Sequence, residues 1–254
     1  MEIVKVKNIS YAKYEEVLLR RDNLRKEAEL YHLAFIAEFG DLIVVVFRLK
    51  VECIRKKKMI AYCQKLVNQG KPIKSHELAD FIEKEMMRYQ MELESIISDV
   101  NDAKSSTQLS QAEIRKIKEI YYSLVKLIHP DMHPQFADDE VLKDYWQRIV
   151  IAYRHNQLAD IEELDMLVRA YLEANGLTGV EKEIDDIESK IAKVEEEIKE
   201  ITTTDPYLYK IILGSQAATA EKKEEYEEEI RSFEKYSSEL DEVLNTFNIE
   251  EVMS

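Results

Sequence analysis

Glycine and proline are scarce in this chain of 254 residues, which has 5 Gly and 4 Pro. So few breakers exclude a fold of many short strands and tight turns, and they favour long helices. Cysteine is nearly absent too. Cys53 and Cys63 lie in one helical run, and ten residues of α-helix span about 15 Å, beyond the reach of a disulfide. No stretch approaches the roughly 20 consecutive apolar residues of a membrane span; the most apolar run, 42–47, is short. The first seven residues lack the apolar core of a signal peptide, so the expected location is the cytoplasm. There is no Gly-rich phosphate loop, no G-x-S-x-G and no Cys/His pairing of specific spacing. An enzyme is therefore not expected, and no cofactor is implied.

Acid is abundant but unevenly placed. The formal charge is −15. Residues 1–109 carry 19 basic and 17 acidic side chains, whereas residues 180–254 carry 9 and 22. The last third should repel nucleic acid and anionic membrane, so neither is an expected partner. The one basic cluster, Arg55-Lys56-Lys57-Lys58, points all round a helix and reads as a solvated turn.

Read in order, residues 1–9 alternate weakly, as an extended arm or one short strand. Tyr14, Val17, Leu18, Arg21, Leu24, Ala28, Tyr31 and Phe35 then step by three and four, the spacing of one helix face. Gly40-Asp41 supplies a C-cap and a new N-cap, which predicts a helical hairpin with a second run ending near Gln69. Ser75 opens a third run to about Val100, and 101–108 reads as a linker. Ser110 and Glu113 form a capping box ahead of a helix ended by Pro130. A further helix is expected over 138–158, with Trp146 in its core seam, and another from Asp160. Val180, Ile184, Ile187, Ile191, Val194, Ile198 and Ile201 make three heptads of a coiled-coil seam. A second seam runs through Tyr226, Ile230, Phe233, Leu240, Leu244 and Phe247, missing one rung at Ser237. The 202–220 stretch between them can reverse the chain. This predicts an antiparallel coiled-coil hairpin, with a parallel homodimer as the alternative.

The sharpest motif is His129-Pro130-Asp131, placed between two of these helices. A metal reading of His129 and His133 with Asp131 is disfavoured, because Pro130 breaks the helix that would bring two such ligands together. The segment from Ser110 to Val168 resembles a J domain, the DnaJ-like module by which co-chaperones engage heat-shock chaperones of the seventy-kilodalton class. The likeness rests on the tripeptide, on Tyr121 and Leu124 eight and five residues before His129, and on Trp146, Ile149 and Ala152-Tyr153 after it. The chain departs from the family in lacking its first short helix. It also carries Tyr122-Ser123 and Met132 at positions usually basic, and Asn156 where Leu is usual.

The resemblance implies a partner, the seventy-kilodalton chaperone, whose ATP hydrolysis the tripeptide stimulates, and an unknown client. It implies partner-binding roles for His129, Pro130 and Asp131 and for the remaining cations Arg115, Lys116, Lys118 and Lys126. The competing expectation is a structural interaction protein that keeps a degenerate J-like fold as a packing module. The expected architecture is all-α and elongated: a two-helix hairpin plus a third long helix over 1–109, a J-like domain over 110–176, and an acidic coiled-coil hairpin over 177–254. The chain would be a monomer or a coiled-coil homodimer, and it would bind no metal.

Overall fold

The computed structural model describes residues 2–105, 110–177 and 186–250. Among these described residues 85% are helical, in eight α-helices, so the all-α expectation holds. The helices are α1 (Glu2–Asn68), α2 (Ser75–Ser105), α3 (Gln111–Ile128), α4 (Glu140–Arg154), α5 (Leu158–Ala174), α6 (Ile187–Thr203), α7 (Tyr209–Leu213) and α8 (Gln216–Leu244). Two short strands, β1 (Ile73–Lys74) and β2 (Ile249–Glu250), pair in parallel.

The N-terminal hairpin does not form. The chain is helical from Glu2, where an arm or strand was expected, and continues unbroken through Gly40 to Asn68. Gly40 is a close-approach position and not a cap. A Cβ there would lie 2.6 Å from Cγ2 of Val100 on α2, so only glycine lets the two helices meet. The linker expected at 101–108 is helical as far as Ser105, and 106–109 lie outside the described residues.

The chain divides into two units, each built from non-contiguous segments: Met1–His32 with Thr107–Tyr209, and Leu33–Ser106 with Lys210–Ser254. The three consecutive domains expected from the sequence are therefore interleaved, because α1 supplies a helix to both units.

In the first unit, α3, α4 and α5 pack on one another, and their apolar stripes close a core around Ile117, Tyr121, Leu124, Ile149, Ile161 and Leu164. Tyr14, Val17 and Leu18 of α1 and Ile191, Val194 and Ile198 of α6 join that core. Each such side chain contributes roughly 1.5–3 kcal/mol by leaving water. The capping box is present as read: Ser110 Oγ accepts from the Glu113 amide, and the Glu113 carboxylate accepts from the Ser110 amide. The helix expected over 138–158 is shorter, and the one expected from Asp160 begins at Leu158. Asp139 caps α4, which ends at Arg154, and Asn156 adopts φ 56°, a left-handed turn that Asn tolerates better than Leu.

In the second unit, α2 runs antiparallel to α1: Lys104 pairs with Asp41 at 2.7 Å, Lys58 pairs with Glu85 at 2.6 Å, and Tyr62 stacks on Phe81. Helix α8 runs parallel to α1, as Lys223–Glu38 at 2.5 Å and Lys56–Asp241 at 2.5 Å show. Cys53 and Cys63 are buried free thiols.

These contacts correct the coiled-coil hairpin. The α6 seam packs in the first unit, where the start of α1 joins it, and the α8 seam packs on a later stretch of α1 in the second, so the two heptad stripes do not pair with each other. Val180 and Ile184 of the first seam lie outside the described residues. Arg55–Lys58 is not a solvated turn either. Lys56 is 7% exposed, and Arg55 pairs with Glu52. Finally, α1 contains an apolar window of mean hydropathy 1.8 that is long enough to cross a membrane, contrary to expectation, with 17% of it buried. Composition alone does not make it a span. Glu38 and Asp41, in its apolar stretch, make ion pairs inside the second unit.

Candidate functional site

The His-Pro-Asp loop lies between α3 and α4. The α3 ladder ends at His129, whose amide still donates to the Val125 carbonyl, while Pro130 supplies no donor for a further turn. The loop then folds on itself: the Met132 and His133 amides both donate to the His129 carbonyl at 2.9 Å. The Asp131 amide donates to His129 Nδ1 at 3.1 Å, so the imidazole is held by the backbone of the loop it begins.

His129 is 2% exposed and meets the Trp146 ring edge-on, with centroids 4.6 Å apart. Burial pushes its pKa down to about 4, outweighing the opposing pull of Asp22 and Asp131, so the ring is neutral at pH 7. Trp146 itself is half-buried and shared between His129 and Tyr121. His133 takes a different direction. Its Nε2 lies 2.7 Å from the Lys126 carbonyl, and its ring stacks on Phe136. The two imidazoles do not converge, and among the described residues no His, Cys, Asp and Glu cluster is arranged to hold a metal.

Pro130 is exposed, and the Asp131 side chain is 48% exposed. Across the loop lies α1. The Arg21 guanidinium stands 4.0 Å from the Asp131 carboxylate, 2.9 Å from Asp22 and 3.4 Å from Glu197 of α6. Burial works against its charge, but these carboxylates, Asp22 above all, raise its pKa further. Asp22 in turn accepts from the Tyr121 hydroxyl at 2.8 Å. The Tyr121 ring stacks on Tyr153 at 3.8 Å and 10°, binding α3 to α4 just behind the tripeptide. A buried pair with all its hydrogen bonds made is tolerated where an isolated charge would not be.

The predicted cations have separate surroundings. Lys126 pairs with Glu15 of α1 at 3.0 Å, and Lys116 pairs with Glu162 of α5. Lys118 stands 5.4 Å from the centre of the Tyr122 ring, and Arg115 is exposed on α3. They share one helix but not one cluster with Asp131.

Arg21, Asp22, Glu15 and Glu197 complete the site, and none of them was among the expected partner-binding residues. One signal existed: Arg21 falls on the apolar face of its own helix, and a guanidinium there demands a buried acid. Lys26, one turn further on, is 7% exposed and lies 4.0 Å from the Tyr153 ring centre. Burial, helped by Lys118, pushes its pKa down to about 8. Comparison with protein-family models, curated proteins and solved structures returned no match.

Proposed function

We propose that this protein is a J-domain-type co-chaperone or adaptor that accelerates ATP hydrolysis by a seventy-kilodalton heat-shock chaperone. It performs no chemistry itself; docking biases the conformational equilibrium of the partner through differential affinity. The observation that carries the reading is the self-bonded His-Pro-Asp loop between α3 and α4, backed by the Tyr121–Tyr153–Trp146 ring cluster. The loop offers a rigid ring at Pro130 and a half-exposed carboxylate at Asp131 that can bond a partner cation. The α3 cations Arg115, Lys116, Lys118 and Lys126 would meet an acidic partner surface. The reading sets the protein in the cytoplasm as a monomer, with its heptad seams engaged by its own chain, and leaves the client to be identified by capture.

A single-turnover assay tests this. ATP hydrolysis by the purified chaperone should speed up when the protein is added, and Asp131→Asn, a change at a half-exposed side chain, should remove the effect. No acceleration from the wild type, nor from variants in which α1 is loosened from the loop, would sink the proposal. The burial of His129 favours a second reading, a structural interaction protein whose tripeptide only packs α3 against α4. On that reading Asp131→Asn changes nothing but stability.

A further inference from the structure

Resting on the co-chaperone reading, we infer that α1 acts as a built-in competitor for the docking site, occupying Asp131 and Lys126 until a partner displaces it. The charges carry the argument. The site offers an acid on the loop and a base on α3. Helix α1 answers with the opposite sign at both points: Arg21 toward Asp131 at 4.0 Å, and Glu15 toward Lys126 at 3.0 Å. The two α1 residues are six positions apart, about 9 Å along a helix. Between them, Val17 and Leu18 enter the apolar core that α3 also lines. So α1 meets the site as an amphipathic partner would, with an apolar centre flanked by complementary charges.

Arg21 is also held away from solvent. Its side chain is 10% exposed and reaches Asp22 and Glu197 as well as Asp131. A partner cation seeking Asp131 must therefore compete with an arginine already fixed in place. The polarity of the contact sets the direction of control. Removing the α1 charges should strengthen docking, whereas removing the site charges should weaken it.

The test uses the full chain and two variants. Glu15→Gln weakens the grip on Lys126 without touching the core. Arg21→Met/Asp22→Asn removes the buried pair together, leaving an amide to accept from Tyr121. Each is checked for native helicity, then for amide hydrogen exchange at Asp131, Met132 and His133, and for single-turnover ATP hydrolysis by the added chaperone. Expected are faster exchange at these amides with the second unit unchanged, and a stimulated rate about tenfold above wild type, within the usual range of coupling between sites. Unchanged loop exchange in both variants overturns the inference. Faster exchange with stimulation equal to that of the wild type overturns it too, while leaving the co-chaperone reading intact. Faster exchange with no stimulation by any form overturns the co-chaperone reading, and this inference falls with it.

Discussion

Lys56 sets its ammonium 2.7 Å from the hydroxyl of Ser237 and 3.2 Å from the carbonyl of the same residue. The missing rung of the α8 heptad is thus a seat for a buried cation, completed by Asp241 at 2.5 Å. A leucine at 237 would perfect the heptad and remove the hydroxyl acceptor. Ser237→Leu is expected to lower stability by about 0.5–1.5 kcal/mol, the net worth of one lost hydrogen bond, because the residue's own carbonyl and Asp241 still hold the ammonium. Adding Lys56→Met should recover much of the loss. Denaturant melts of the two single variants and the double close the cycle, and additive losses would show that the two residues are not coupled.

Gly40→Ala sets helix propensity against packing. Alanine gains about 1 kcal/mol in a helix interior. The new Cβ, however, would lie 2.6 Å and 2.8 Å from the two methyls of Val100, a buried side chain. Overpacking costs typically 1–3 kcal/mol, so the variant should be less stable. Gly40→Ala/Val100→Ala should return part of the loss. A thermal midpoint above wild type for the single variant would refute the close approach.

Lys26 is a buried ammonium over an aromatic face, with a pKa pushed down to about 8. Its folded value lies below the unfolded one, so the unfolded chain holds more protons over the interval between them. Stability from this group therefore rises with pH from about 8 to 10. Above that, the raised pKa values of Tyr14, Tyr121 and Tyr153 act in the opposite direction. Lys26→Met keeps the apolar stem, and at pH 7 it should stabilise the fold by roughly 1–3 kcal/mol. The gain should shrink as pH climbs to 10. Melting wild type and variant across that range reads both effects, and a constant difference would contradict a buried, titrating amine.

His129 gives the acid counterpart. Its folded pKa of about 4 lies below the ordinary 6.5, because burial disfavours the imidazolium. The neutral ring's contribution is fully present above pH 6.5 and is lost as pH falls toward 4. The slope over that window should amount to something on the order of 2 kcal/mol and be missing from His129→Gln. Carboxylates titrate near its lower end in both proteins, so the difference between the two curves isolates the imidazole. An NMR titration placing the His129 midpoint near 6.5 would exclude a ring buried as described.

The helical class, the capping box at Ser110 and the free thiols were legible because each follows from local chemistry: propensity, a three-residue spacing and helix rise. Gly40 misled because the same residue serves as a cap and as a contact point, and only the Val100 side chain distinguishes them. The heptads were read correctly as apolar stripes, yet the pattern does not say which helix fills a groove, and α1 filled both. The site was half visible. The tripeptide and its flanking rings are short-range features, whereas Arg21 reaches the loop, and Glu197 reaches Arg21, from distant parts of the sequence and both depend on tertiary closure.

The parallel pairing of Ile73 with Ile249 sets a temporal order. During synthesis β1 leaves the ribosome long before its partner strand exists. The grooves that α8 and β2 will occupy wait through the making of all the intervening residues, and such distant closures slow folding and leave apolar surface open meanwhile. A nascent chain of this protein thus exposes, for a time, apolar surface that the finished fold covers.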